Sequence, residues 1–308
     1  MPPSRDGVGP SCVGLTAGPW PTIAAFLIER FPFVDKSEWL RRMVAGDVSD
    51  EHGASVSPGR AYQAPLRVYY YRSLAHERRI PFDEVVLWQD EHLLVVDKPH
   101  FLPVMPSGKY LQETVLVRLR RKLGLDALVP IHRIDRDTAG LVLFSVQSDT
   151  RDAYHTLFRK REVKKIYEAI APWNPRLSWP QQRETRIVAA PHFMQQIEVE
   201  GPPNSLTHMA PVEVLDRLAR YELHPVTGQR HQLRVHMAAL GLPLVGDGIY
   251  PVLTPEGQMN HARPLQLLAR SIAFVDPLTG QARRFESHRR LRSLPDLLAA
   301  TSSQNQHV

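Results

Sequence analysis

The chain has 308 residues, 43% of them hydrophobic, with a formal net charge of +6 and a pI near 9.5. That much apolar matter excludes wholesale disorder, and the basic balance favours a polyanionic partner. One cysteine, Cys12, excludes an internal disulfide and a thiolate metal cluster, which suits a reducing compartment.

No apolar run approaches the ~20 residues of a membrane span. The start, "MPPSRDGVGPSCVGLTAGPW", lacks the apolar core of a signal peptide, so a cytoplasmic protein is expected. Residues 1–19 and 297–308 read as flexible tails. A small α/β module follows at 20–75. "TIAAFLIER" (22–30) places Ile23, Phe26 and Leu27 on one helical face. "DKSEWLRRMVAG" (35–46) offers Ser37 as N-cap, an apolar stripe of Leu40, Met43 and Val44, and an outer face with Arg41 and Arg42.

The larger unit spans 76–296. "VVLWQDEHLLVVDKP" (85–99) reads as two strands about an Asp90–Glu91 turn. "LQETVLVRLRRKLG" (111–124) is an amphipathic helix stopped by Gly124. Strands are expected at 141–146, 165–171, 184–189, 195–200, 206–215 and 218–224, and a helix over 230–241. Many strands with few helices predict an α+β fold on a largely antiparallel mixed sheet.

Three stretches could carry chemistry. In "IHRIDRDTAG" (131–140), charged groups alternate beside the apolar run "LVLFSV". A carboxylate between arginines suits a nucleophile or a base, and equally suits a clamp that fixes a loop. The kinase pattern H-R-D is off by one, with neither a glycine-rich loop before it nor D-F-G after it. No His/Asp/Glu spacing suggests a metal site. In "PVTGQRHQLRVHMAALGLPLVGDGIY" (225–250), Thr227 and Gly228 open a helix. Arg230 and Arg234 lie four apart on one face of it, with His231 and Gln232 alongside. In "YHTLFRKREVKKIYEAI" (154–170), basic residues including Lys164 and Lys165 interleave with Tyr154, Phe158 and Tyr167, as a nucleic-acid track would. "RRFESHRRLR" (283–292) adds five arginines.

Together these stretches resemble the RluA-type RNA pseudouridine synthases, in that family's motif order. "LLVVDKP" (93–99) resembles the first motif and "HRIDRDTAGLVLFS" (132–145) the signature loop. "FRKREVKKIYEAI", "PVTGQRHQLRVHMAALGLPLVGDGIY" and "LLARSIAFVDPLTG" (267–280) resemble the later blocks. Residues 22–72 more faintly resemble the alpha-L RNA-binding module, with "VSD" where "VNG" is usual. Gln229, Arg230, Ala139, Asp97 and Met105 also depart from the family pattern.

The resemblance implies that Asp135 is the essential aspartate, Arg234 its basic partner, Tyr167 the stacking tyrosine and Leu233 the apolar residue beside the base. It implies a uridine turned out of structured RNA, ribosomal or transfer, and isomerised with neither cofactor nor metal. RNA or base contacts are then expected from Lys98, His132, Arg133, Arg136, Lys164, Lys165, Arg230, His231 and Gln232, in a chain acting as a monomer. The alternative is a catalytically inactive RNA-binding or ribosome-assembly factor that keeps the fold.

Overall fold

The computed structural model describes residues 2–72, 74, 76–254 and 260–302. It divides into two compact units, residues 1–78 with 106–126 and residues 79–105 with 127–308.

The first unit carries β1 (Ser11–Leu15), α1 (Ile23–Arg30), α2 (Lys36–Val44), β2 (Val48–Asp50), β3 (Leu66–Tyr70) and, from the later segment, α3 (Val115–Leu123). The strands form an antiparallel sheet in the order β1-β3-β2. β1 lies within residues expected to be a tail. Its Leu15 is buried beside Ile23, Leu27 and Val68, and that core holds the segment in place. Asp35, not Ser37, caps α2, because its side chain accepts the Ser37 N–H at 2.7 Å. Trp39 and Met43 face the core, whereas Val44 is exposed. Arg42, expected on the outer face, is buried with its Nε 2.7 Å from Glu38. Thr114 caps α3 at one end, and Gly124, at φ +66°, closes it at the other.

The second unit is built on one large sheet. Its strands are β4 (Val85–Gln89), β5 (Leu93–Lys98), β6 (Val129–Pro130), β7 (Ala139–Ser145), β8 (Lys164–Pro172), β9 (Gln181–Ala189), β10 (Gln196–Val199), β11 (Ser205–Leu215), β12 (Leu218–Pro225), β13 (Leu267–Val275) and β14 (Ala282–Glu286). The order is β10-β9-β11-β12-β8-β13-β7-β5-β4, with β14 on β13 and β6 on β7. Pairing is antiparallel except between β13 and β7. This is the α+β mixed sheet expected from the strand pattern.

Three helices accompany the sheet: α4 (Arg151–Arg159), α5 (Gln232–Ala239) and α6 (Leu294–Ser302). α6 runs into the residues expected as the C-terminal tail, because buried Leu294 and Leu297 dock it on Ile170 and Leu268. Among the described residues, no helix is long and apolar enough to cross a membrane.

β5 and β7 are buried along their whole length, as their apolar runs require. Gly140 makes the parallel approach of β7 to β13 possible. At φ +108°, a Cβ there would stand 2.3 Å from the Ala269 carbonyl oxygen. The loop that feeds β7 is thereby set against the strands that carry the rest of the site.

Candidate active site

The loop 131–138 folds back on the strand it feeds. Ile131 N–H donates to the Leu143 carbonyl at 2.8 Å, and Leu143 N–H donates to His132 Nε2 at 3.2 Å. The His132 ring also stacks on Phe158, with centroids 4.7 Å apart. Burial pushes its pKa down to about 3, so it stays neutral with Nε2 unprotonated, as the Leu143 bond requires. His132 therefore pins the loop: its acceptor and one ring face are already used within the protein.

Lys98 is held still more firmly. It is fully buried, and its Nζ donates to the carbonyls of Pro99 (2.9 Å), Leu102 (2.8 Å) and Arg136 (2.9 Å). Burial draws its pKa down to about 7, against the charges of Asp137 and Asp135. Three carbonyl partners call for three N–H donors, which only the ammonium form supplies. Lys98 is a strut under the loop.

Above it, Arg136 grips Asp137 with two bonds, Nε to Oδ1 at 2.8 Å and Nη2 to Oδ2 at 2.9 Å. Burial pushes the Asp137 carboxyl up, but the Arg136 bond and the charges of Arg136, Arg234 and Lys98 outweigh it, and the net shift is downward. Arg133 is exposed, in contact with Met105 Sδ at 3.7 Å. Asp135 sits between these arginines in sequence but bonds to neither. Its partner is Arg234, Nη1 to Oδ2, at 3.3 Å.

Arg234 lies on α5, a helix buried through Met237. The helix starts at Gln232, later than the sequence suggests. Its cap, His231, adopts a left-handed φ of 56°, which turns the preceding Arg230 out to solvent. Arg230 donates to the Phe193 carbonyl at 3.0 Å, while Arg234 is 2% exposed. The two arginines therefore do not share a face. Gln232 is buried and fully used: Oε1 accepts from Thr227 Oγ1 and Gln229 N–H, and Nε2 donates to Leu206 O and Thr207 Oγ1.

The other side of Arg234 is held by a residue without a role in the sequence reading. Asp247 Oδ2 accepts from Arg234 Nε at 2.8 Å, and Oδ1 accepts from Nη2 at 2.6 Å. Asp247 Oδ1 also accepts the N–H groups of Ile249 and Tyr250. Burial works against the Arg234 charge, but the Asp247 bond and the charges of Asp247, Asp135 and Asp137 raise its pKa. The only sequence signal for this carboxylate is the "GD" near the end of the 225–250 block.

His231 approaches Asp135 from the same helix entry. Its Nε2 lies 3.8 Å from Asp135 Oδ1, and its Nδ1 lies 3.0 Å from Tyr250 Oη. Tyr250 Oη already accepts the Gln196 N–H at 2.7 Å, so its own proton is available to Nδ1. That network assigns the imidazole proton to Nε2, facing Asp135. Burial lowers the His231 pKa against the opposing pull of Asp135, which favours the neutral ring.

Tyr167 stands on β8 between Leu223 of β12 and Ala269 of β13. It is partly buried and packs on the cluster that contains Leu233, Leu265 and Leu267. Burial and the negative charge of Asp135 both push its hydroxyl pKa up, so it remains a neutral phenol. Lys165 is partly buried and donates to the Thr227 carbonyl at 3.0 Å, with burial drawing its pKa to about 8. Lys164 is exposed.

Of the other aromatics in that stretch, Tyr154 is buried on α4, 3.3 Å from Asp276, and Phe158 is the His132 stack. Neither is open to a base. The arginine run at 283–292 is likewise not uniformly solvated: Arg289 donates to the Asp97 and Asp83 carbonyls. Among the described residues, no group of three or more His, Cys, Asp or Glu side chains could hold a metal ion.

A carboxylate on an open loop, a buried guanidinium and a phenol set on an apolar wall come together here. The RNA pseudouridylate synthase family model matches residues 92–239, which carry all three. An uncharacterized RNA pseudouridine synthase of Synechocystis is 31% identical over 233 residues, which is 73% of this chain and 78% of that protein. The dual-specificity RNA pseudouridine synthase RluA of Haemophilus influenzae is 31% identical over 208 residues, 66% of this chain and 91% of that one. The tRNA pseudouridine synthase C of Vibrio cholerae is 32% identical over 215 residues, 64% and 87% respectively. The solved human RNA pseudouridylate synthase domain containing 1 shares the fold, with a TM-score of 0.54, 22% identity, and coverage of 72% of this chain and 95% of that chain. The chain belongs to the RluA-type RNA pseudouridine synthase family. It is an isomerase that converts uridine in RNA to pseudouridine.

Proposed function

We propose that Asp135 is the carboxylate that acts at the ribose–uracil junction of a uridine turned out of ribosomal or transfer RNA. Arg234 holds it, Tyr167 stacks on the extruded base, and Leu233 lies beside it. The observation that carries this reading is the unequal use of three neighbouring carboxylates. Asp137 is gripped by Arg136, and Asp247 by Arg234 and two backbone N–H groups. Asp135 makes one bond of 3.3 Å and keeps 27% of its side chain exposed. A reacting carboxylate needs an oxygen that the fold has not already used.

Extruding a base costs a few kcal/mol, least from an unpaired loop. Phosphate contacts by the exposed Arg133, Lys164 and Arg230 offset that cost. We read residues 20–75 as an RNA-binding-like module and 76–296 as the catalytic domain, acting in the cytoplasm as a monomer with neither metal nor cofactor. Support for a separate module is the independent core around Leu27, Trp39 and Val68.

Two experiments test this reading. Substoichiometric protein added to excess ribosomal or transfer RNA should give many pseudouridines per protein molecule. Mapping pseudouridine across total RNA from cells with and without this gene should show specific sites lost. A map identical in both would contradict it.

A further inference from the structure

One oxygen of Asp135 is bonded and the other is not. Arg234 Nη1 donates to Oδ2 at 3.3 Å, while Oδ1 faces His231 Nε2 across 3.8 Å. Three features fix what His231 presents there. Its backbone is left-handed, at φ 56°, a conformation that a residue with a side chain adopts at a cost. Its side chain is buried and makes no capping bond to the helix it precedes. Its Nδ1 lies 3.0 Å from Tyr250 Oη, which accepts the Gln196 N–H at 2.7 Å and gives its own proton to Nδ1. The ring therefore carries its hydrogen on Nε2, and burial keeps it neutral. An N–H donor and a carboxylate acceptor stand face to face, too far apart to bond each other.

We propose that His231 Nε2 and Asp135 Oδ1 together recognise the ribose 2′-hydroxyl of the extruded uridine, which makes His231 the residue that tells ribose from deoxyribose at the target. A hydroxyl is donor and acceptor at once. Seated between the two groups, its oxygen accepts from Nε2–H and donates to Oδ1, and a gap of 3.8 Å leaves it within ordinary hydrogen-bond distance of both. The chemistry of the pair excludes the base from that seat. A uracil carbonyl only accepts, so it would suit His231 and be repelled by Asp135; the uracil N3–H only donates, and would do the reverse. The 2′-carbon is bonded to the anomeric carbon, so a carboxylate acting at the ribose–uracil junction has this hydroxyl within reach. Phosphate contacts at the rim cannot make the same distinction, because they read a backbone charge that RNA and DNA share.

This inference rests on the reading of Asp135 as the carboxylate at the ribose, so Asp135→Asn is run beside it. Single-turnover rates, with enzyme in excess, are measured on an RNA that the wild type converts and on the same RNA carrying 2′-deoxyuridine at the target position. Comparing the two enzymes on each RNA cancels the different lability of the two glycosidic bonds. His231→Asn suits the left-handed backbone and withdraws the donor from Asp135. It should slow the ribose RNA about thirtyfold and the deoxy RNA less than about threefold. Tyr250→Phe removes the hydroxyl that sets the ring proton, and should act in the same selective way by about fivefold. Equal slowing of both RNAs by His231→Asn overturns the proposal, and so does no slowing of either. Where the deoxy RNA is not converted, Kd decides by the same rule: His231→Asn must weaken the ribose RNA more than the deoxy RNA. If His231→Asn does not fold, Tyr250→Phe decides: selective slowing of the ribose RNA supports the proposal, and equal or absent slowing overturns it. If Asp135→Asn converts the ribose RNA at the wild-type rate, the underlying reading fails instead.

Discussion

The catalytic unit holds two populations of cations that look alike in the sequence and behave differently in the fold. Lys98 and Arg234 are buried, and every bond they make is to the protein itself. Arg133 on the same loop, Arg230 just before α5 and Lys164 at the start of β8 are exposed. The first group fixes where the carboxylates stand. The second is available to a polyanion. Residue type and net charge do not separate them; what separates them is which carbonyls and carboxylates the backbone brings within reach.

The contrast can be broken first at the buried end. Lys98→Met removes three hydrogen bonds and leaves buried carbonyls unpaired, for an expected loss of about 3 kcal/mol, measured by denaturant unfolding. A loss below about 0.5 kcal/mol would mean that the strut is dispensable. Gly140→Ala should cost about 2 kcal/mol, because its Cβ would strike the Ala269 carbonyl at a strained φ.

At the rim the signature reverses. Arg133→Ala combined with Lys164→Ala should weaken RNA binding about tenfold and lower the salt slope by about one to two, with the melting temperature unmoved. If instead the melting temperature falls and the slope holds, these residues belong with the buried group.

The smallest effect concerns pH. Burial pushes His236 down to about 4 and His132 to about 3, from 6.5. Both stay neutral in the fold while the unfolded chain takes up protons. Stability should therefore be level above pH 6.5 and fall as the pH drops toward about 4. Replacing His236 by Gln should reduce that fall by several degrees of melting temperature.

Much of this was legible in the residues. The alternating strands and the buried 141–146 run follow from their apolar pattern, and the Asp135–Arg234 partnership, implied by motif order, is present at 3.3 Å. What pattern cannot report is the burial of a polar side chain by distant segments. Lys98 sits in an ordinary strand end, and only the return of residues 99–102 and 136 makes it a strut. Arg230 and Arg234 have helical spacing, but a left-handed His231 separates them. Asp247 is two letters in a glycine turn, and its partner lies thirteen positions earlier on another element. β1 escaped notice because its five residues sit in a Pro- and Gly-rich stretch, with a core supplied by helices that come later in the chain.

The account is tested most directly by pseudouridine formation in the Asp135→Asn protein, measured with enzyme in excess over RNA and with the melting temperature recorded on the same preparation. Asp135 has one weak internal bond, so the variant should keep the wild-type melting temperature to within a few degrees and form no detectable pseudouridine. Product at the wild-type rate would contradict the central claim. A collapsed melting temperature would assign Asp135 to the scaffold with Lys98 and Asp247, and would contradict it equally.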